Sequence, residues 1–277
     1  MINFPNAKIN IGLNITEKRK DGFHTIESIF YPIKLSDVLE INISKTCLTA
    51  VRNGFLFNTT GISIDKGNQD HNICIKAHHL LKNHYTLPPV HIHLHKNIPV
   101  GAGLGGGSSD AAFTLKMLNS MMKLNLSNEI LLKIAEETGS DCPFFILNKP
   151  SFATGKGNVL FPVNIDLRGY FLVLVYPFIQ VNTTAAYQKI KPQQASKKLT
   201  KQINQPIGTW KDNIKNDFEK VIFNEYPEIK KIKEQLYHSG AVYASMSGSG
   251  SAVYGFFREE VDLKTEFSHY FIWAEWL

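Results

Sequence analysis

Cysteine is scarce in this chain of 277 residues: three occur, at 47, 74 and 142, with no paired spacing. That excludes a disulfide scaffold and a Cys-rich zinc site. No run of about 18 apolar residues exists, so no membrane-spanning helix is expected. The opening Met1-Ile2-Asn3-Phe4-Pro5 lacks the basic start and apolar stretch of a signal peptide, and a cytoplasmic location is expected. Charge of one sign is not concentrated. Lys and Arg number 30 against 24 Asp and Glu, a net +6. The run Lys18-Arg19-Lys20 stands alone, without the basic stripe and interleaved aromatics of a nucleic-acid binder. No repeat at fixed spacing is present. Hydrophobic residues at 43% and charged residues at 19% describe a folded chain of one or two domains.

Strand patterns occupy Ala7–Ile15, Thr25–Ile33 and Val38–Ile43, with an Asp21-Gly22 turn between the first two. Helical spacing predicts Ile73–Leu81, a helix behind the glycine-rich segment at 101–107, Asn128–Glu137 ending at Gly139, and Ile229–Leu236. Val90–Leu94, Tyr170–Tyr176, Ala252–Phe257 and Tyr270–Trp273 read as strands. Lys149–Gly157 reads as a connection between halves, giving domains 1–150 and 151–277. Residues 188–215 are polar and basic and read as surface helices and loops.

Five glycines fall between 101 and 107, directly before the helix of Ala111, Ala112, Leu115 and Leu118. Glycine permits positive φ and close backbone approach. A helix start offers free N–H groups and partial positive charge. Together they make an anion site suited to polyphosphate, a flexible linker being the bland alternative. Ser109 is expected as N-cap and Asp110 in the first turn. Ser108-Ser109 stand where a P-loop needs Lys-Ser/Thr. Gly101, Gly103 and Gly106 match the Rossmann spacing, but no strand ending in an acid follows about 20 residues on. The second small-residue segment, Ser247–Ser251, is placed after a helix and before a strand, as a second backbone wall or a loose turn.

Asp141, between a helix end and the apolar run Cys142-Pro143-Phe144-Phe145, is either a functional acid in need of a partner or a capping residue. Lys8 in its alternating strand is either a solvated face residue or that partner. Cys142 reads as a packed thiol. His91, His93 and His95 share one strand face as a solvated surface or, less favoured, as metal ligands; no local carboxylate completes a site.

Three motifs in order resemble the GHMP kinase superfamily: Pro5–Leu13, Pro99–Ser109 and Ser245–Gly250. Within it, Ala7-Lys8-Ile9-Asn10, Lys20-Asp21-Gly22-Phe23-His24 and Gly139–Phe145 are most similar to the branch acting on a cytidine-diphosphate-linked methylerythritol. The resemblance implies a two-domain α+β fold with the active site in the inter-domain cleft. It implies ATP as phosphoryl donor, Mg2+ with it, and an alcohol as acceptor. Lys8 and Asp141 match the catalytic pair. Pro99, Val100, Gly101, Ala102, Gly103, Leu104, Gly105, Gly106, Gly107, Ser108 and Ser109 match the ATP phosphate loop. Asn10, Phe23, His24, Thr183 and Tyr187 match substrate-binding positions, cytosine lying between Phe23 and Tyr187. Tyr is more usual in the family where Phe23 stands. No matched residue clearly binds metal; Ser108, Ser109 and Asp110 are the candidates. A monomer or weak homodimer, without nucleic-acid or membrane partners, is expected. The alternatives are a kinase of the homoserine or mevalonate type and a non-catalytic nucleotide-binding regulator of the same fold.

Overall fold

The computed structural model describes residues 1–43, 55–64, 72–193 and 198–277. Cys47 lies outside the described residues. The first strands are β1 (Ile2–Asn3), β2 (Asn6–Lys18), β3 (His24–Ser36), β4 (Val38–Ile43), β5 (Phe55–Gly61) and β6 (Val90–Lys96). Later come β7 (Ser151–Thr154), β8 (Val159–Pro162), β9 (Phe171–Tyr176), β10 (Tyr243–Met246), β11 (Val253–Phe257) and β12 (Phe271–Trp276). The helices are α1 (Ile73–His84), α2 (Gly106–Met121), α3 (Asn128–Thr138), α4 (Cys142–Leu147), α5 (Thr183–Lys189), α6 (Leu199–Gln202), α7 (Trp210–Asn213), α8 (Phe218–Glu225) and α9 (Pro227–His238). This is an α+β chain, as expected.

Two compact units form. One comprises Met1–Ala7, Lys34–Val100 and Gly105–Lys149; the other comprises Lys8–Ile33, Gly101–Leu104 and Pro150–Leu277. The units therefore interleave along the chain.

In the first unit the sheet order is β1-β4-β6-β5, with β4 antiparallel and β5 parallel to β6. On β6, Val90, Ile92 and Leu94 are buried while His91, His93 and His95 are half-buried on the other face, the period-two pattern of a half-covered strand. His91 bonds Asn58, and His93 and His95 both bond Thr60, on neighbouring β5. No cluster of metal-ligating side chains occurs among the described residues. Helix α2 is buried along most of its length, packing on α1, α3 and α4. Its small Ala111 and Ala112 are fully buried there.

In the second unit, one sheet runs β2-β3-β7-β8 and another β10-β11-β9-β12. The sequence Phe-Leu-Val-Leu-Val-Tyr of β9 is buried on both faces between β11 and β12. Each such aliphatic side chain contributes about 1.5–3 kcal/mol by burial, which makes β9 the anchor of its sheet. Helix α9 starts with Pro227 at its first position and buries Ile229, Ile232 and Leu236 along one face.

Three expectations change. Residues 149–157 are not a bare connection: Ser151–Thr154 pairs antiparallel with Val159–Pro162 as a hairpin. The 188–215 stretch is not only surface, because Leu199, Ile203, Ile207, Trp210 and Ile214 are buried. Segment 247–251 joins antiparallel strands β10 and β11 rather than following a helix. Among the described residues no helix is long and apolar enough to cross a membrane.

Candidate active site

Strand β2 buries both of its faces from Ala7 to Leu13, so its polar residues sit inside. Lys8 is only 3% exposed, and a buried ammonium requires acceptors. Its Nζ donates to Asn10 Oδ1 at 2.5 Å and to the Gly103 carbonyl at 3.4 Å, and lies 4.7 Å from the centre of the Phe30 ring. Asn10 is itself fixed. Its Nδ2 donates to Ser28 Oγ at 2.9 Å, and Ser28 donates onward to the Gly12 carbonyl at 2.6 Å. The Tyr254 hydroxyl donates to the Asn10 carbonyl at 2.8 Å. The amide orientation that presents oxygen to Lys8 follows from this chain of bonds.

The second unit also brings two loop segments together. Lys8 N donates to the Leu104 carbonyl at 3.0 Å, and Ala252 N to the Ala102 carbonyl at 3.1 Å. Ser247 Oγ donates to the Gly103 carbonyl at 2.9 Å and accepts from Asn10 N at 3.2 Å. Gly103, at φ +80°, approaches so closely that a Cβ there would stand 2.1 Å from the Ser247 carbonyl oxygen. Gly101–Leu104 thus lies between β2 and the 247–250 turn.

The supports of that turn carry no sequence signature. Asn216 Nδ2 donates to the Met246 and Gly248 carbonyls, both at 2.8 Å, while its Oδ1 accepts from Phe218 N at 3.0 Å. Glu219 accepts from Met246 N at 2.9 Å and from Lys233 at 2.6 Å. The same segment grips β2: Leu13 N donates to Lys215 O, Asp217 N to Leu13 O, and Ile15 N to the Asp217 carboxylate.

In the first unit α2 begins at Gly106, capped by Gly105 in the left-handed region at φ +70°. Ser109 is not the N-cap. It is buried inside the first turn, its N–H bonded to the Gly105 carbonyl at 2.9 Å. The glycine conformation starts the helix one turn earlier than a serine cap would. Asp110 lies beyond the first turn, which holds no acid, and is buried and bonded to Lys96 at 2.8 Å. Pro99 and Val100 close the stretch that precedes the loop, and Gly107 and Ser108 sit exposed and half-buried on the first turn of α2.

Asp141 occupies the N-cap position of α4, yet its side chain makes no capping bond. Its neighbour Cys142 is buried. Burial pushes that thiol up to about 12 despite a hydrogen bond with Ser108, so it is a packed thiol and no thiolate nucleophile. A Cβ on Gly139 would lie 3.2 Å from Cys142 Sγ and 4.0 Å from Ser108 Oγ. The start of α4 therefore adjoins the start of α2 within this unit. Gly139 does cap α3, but in extended backbone at φ −177°.

Among the substrate candidates, the His24 and Tyr187 rings stack at 4.9 Å and 18°. Phe23 is 55% exposed with Lys156 Nζ over its ring at 4.9 Å. Tyr187 thus faces the His24 ring. Burial, and secondarily Lys18, holds the His24 imidazole below its ordinary value. Thr183 Oγ1 bonds Ser249 Oγ at 2.9 Å, joining α5 to the 247–251 turn.

For magnesium, the described residues offer no group of three His, Cys, Asp or Glu. Asp110 is committed to Lys96 and Ser109 is fully buried. These side chains do not form a protein-built metal cage.

A glycine run that leads into a helix and a buried lysine beside Gly103 are features of a chain whose two family matches define the class, the GHMP kinases. Residues 72–149 match the GHMP kinases N terminal domain and residues 197–268 the GHMP kinases C terminal domain. A curated 4-diphosphocytidyl-2-C-methyl-D-erythritol kinase of Bacteroides fragilis is 51% identical over 260 residues, 94% of this chain and 93% of the relative. A crystal structure of 4-(cytidine 5'-diphospho)-2C-methyl-D-erythritol kinase, 27% identical, superposes with a TM-score of 0.78 over 99% of this chain and 98% of that one. The mevalonate kinase of Methanococcus jannaschii shares the fold at 15% identity and a TM-score of 0.66, over 100% and 98%. The chain belongs to the 4-diphosphocytidyl-2-C-methyl-D-erythritol kinase family of the GHMP kinases.

Proposed function

We propose that this chain transfers the γ-phosphoryl group of ATP to the 2-hydroxyl of 4-diphosphocytidyl-2-C-methyl-D-erythritol, a step of the non-mevalonate isoprenoid route. The observation that carries the reading is Lys8, buried and oriented by Asn10 beside the Gly103–Ser247 contact, in a chain of this family. Phosphoryl transfer asks mainly for positioning and charge stabilisation. Residues 99–109 would hold the triphosphate through backbone N–H groups and the α2 N-terminus. Asp141 would accept the hydroxyl proton as the alcohol oxygen bonds the γ-phosphorus and the bond to ADP breaks. Lys8 would offset charge on the transferring group and favour the ionised form of Asp141.

Asn10 and Thr183 would contact the acceptor substrate. The cytosine would stack on the exposed face of Phe23, with the His24–Tyr187 pair as the opposite wall and His24 reading the ring's polar atoms. Magnesium would arrive with ATP, held chiefly by phosphate oxygens and water. The chain-order division at about residue 150 is proposed as the functional one; family matches that end at 149 and begin at 197 support it. Cytoplasmic location and action as a monomer or weak homodimer complete the proposal.

ATP consumption measured with the cytidine alcohol, mevalonate and homoserine tests it. Turnover is expected with the first alone. Equal turnover with either of the others would overturn the substrate, and ATP binding without turnover on any alcohol would favour a regulator.

A further inference from the structure

Three charged groups are buried together in the first unit, beside the start of α2. Asp37 joins β3 to β4, Lys96 ends β6, and Asp110 lies in α2; none is more than 3% exposed. Lys96 Nζ donates to the Asp37 carboxylate and, at 2.8 Å, to Asp110 Oδ2. The other oxygen of Asp37 accepts from Asn97 N at 2.6 Å and Ile98 N at 2.8 Å. Asn97 Nδ2 reaches back to the Ser36 carbonyl at 3.1 Å. A Cβ on Gly106 would meet Lys96 Nζ at 3.2 Å and Ile98 Cγ2 at 2.9 Å. The ammonium therefore lies directly beneath the first residue of α2.

Burying one cation and two carboxyl groups costs more than an apolar trio of the same volume would. Such a cluster is weak as a source of stability, which directs attention to what it fixes. It fixes both ends of one loop. Residues 97 and 98 enter the glycine run, and 106–110 leave it. Lys96 is adjacent in sequence to the entry and in space to the exit. Burial pushes Asp110 well above the usual carboxylate range despite Lys96, and its Oδ1 has no hydrogen-bond partner among the described residues. Burial would lower Lys96, but Asp110 and Asp37 more than offset it, so its ammonium persists.

We propose that Asp37, Lys96 and Asp110 are positioning residues for the ATP phosphates, acting by tying the entry and exit of the 99–109 loop to one ammonium. This rests on the reading of that loop as the ATP site. The Asp110 link is the adjustable one, since Asp37 also satisfies two backbone N–H groups.

The test is steady-state kinetics on the full chain with Asp110→Leu and Asp110→Asn, beside ATP titration of the wild type. Asp110→Leu removes the acceptor of Lys96. It is expected to raise the KM for ATP about tenfold, the equivalent of one hydrogen bond to a charged group. The KM for the alcohol should stay within about twofold. Asp110→Asn keeps an acceptor and the shape, and should restore the ATP KM to within about threefold of wild type. Should Asp110→Leu fail to fold, Lys96→Arg serves, because its longer fork displaces the loop ends while keeping the charge; the same selective rise in ATP KM is expected. Equal ATP KM in Leu, Asn and wild-type proteins, or equal rises for both substrates, would overturn the proposal. Absence of ATP binding by the wild type would instead overturn the reading of the loop.

Discussion

The two glycine-bearing segments of the second unit, Gly101–Leu104 and Ser247–Ser251, use glycine for different reasons. Gly101 has φ +70° and nothing within 4 Å of where a Cβ would stand; it is there for conformation alone. Gly103 has φ +80° and the Ser247 carbonyl oxygen 2.1 Å from that point; it serves close approach. In the second segment, a Cβ on Gly248 would stand 3.2 Å from Gly103 backbone and one on Gly250 2.7 Å from Met246 Sδ. The Gly248 contact is to backbone that cannot swing aside, whereas the Gly250 contact is to a side chain that can. Glycine density alone is therefore a poor guide to function. What matters is which glycine lets two main chains touch, and here that is the Gly103–Ser247–Gly248 junction beside Lys8.

The comparison breaks most readily at Gly103. Gly103→Val combines a left-handed backbone with a backbone clash, so ATP binding should be lost and stability should fall by about 2–5 kcal/mol. Isothermal titration with ATP and urea unfolding check both; unchanged ATP affinity would mean that the junction does not shape the site. Next is Asn216→Ala, which strips bonds from the Met246 and Gly248 carbonyls and from Phe218 N. A loss of about 1–3 kcal/mol is expected, read by thermal unfolding together with a fall in kcat/KM for ATP.

Smaller effects sharpen the contrast. Phe23→Ala should raise the KM for the cytidine alcohol by about fivefold, from loss of roughly 1 kcal/mol of stacking, with the ATP KM little changed. Gly101→Ala should cost only the strain of its positive φ, about 1 kcal/mol, with ATP affinity near normal; a loss as large as that at Gly103 would erase the distinction. The smallest effect is from pH. His24 is depressed in the folded chain, so protonation favours the unfolded form: its contribution is present above the ordinary histidine value and is lost as pH falls. As pH falls through the depressed folded value, somewhere below the ordinary 6.5, the stack on Tyr187 should weaken and the alcohol KM should rise, and an alcohol KM that stays flat down to the onset of acid unfolding would remove His24 from that role.

Much of the frame was legible because burial follows periodicity. Val90, Ile92 and Leu94 alternate, and Ile229, Ile232 and Leu236 recur along a helix face. Lys8 misled for the same reason. Alternation places its side chain on a solvated face, yet β2 is covered on both sides and the polar residues of that face are interior. Ser109 looked like a cap because serine favours that position, but Gly105 in the left-handed region begins the helix earlier. Leu199, Ile203, Ile207, Trp210 and Ile214 recur at helical spacing through the 188–215 stretch, but the polar, basic residues between them hid that apolar face. Asn216, Ser28 and Tyr254 act through long-range hydrogen bonds, for which one sequence has no periodic signal. The helix behind the glycine run and the end of α3 at Gly139 were readable because glycine marks the places where helices begin and end.

Lys8 and Asp141 are the core of the account, and steady-state kinetics of Lys8→Met, Asp141→Asn and the double variant at saturating ATP test them most directly. Each single change should lower kcat by about 10²–10⁴ with ATP affinity little altered, because on the proposed reading the phosphates would be held by the 99–109 loop. The double variant should lose less than the product of the two, as a pair acting on one hydroxyl is non-additive. A near-normal kcat in Asp141→Asn, or full additivity of the two changes, would contradict the assignment of these residues as a catalytic pair.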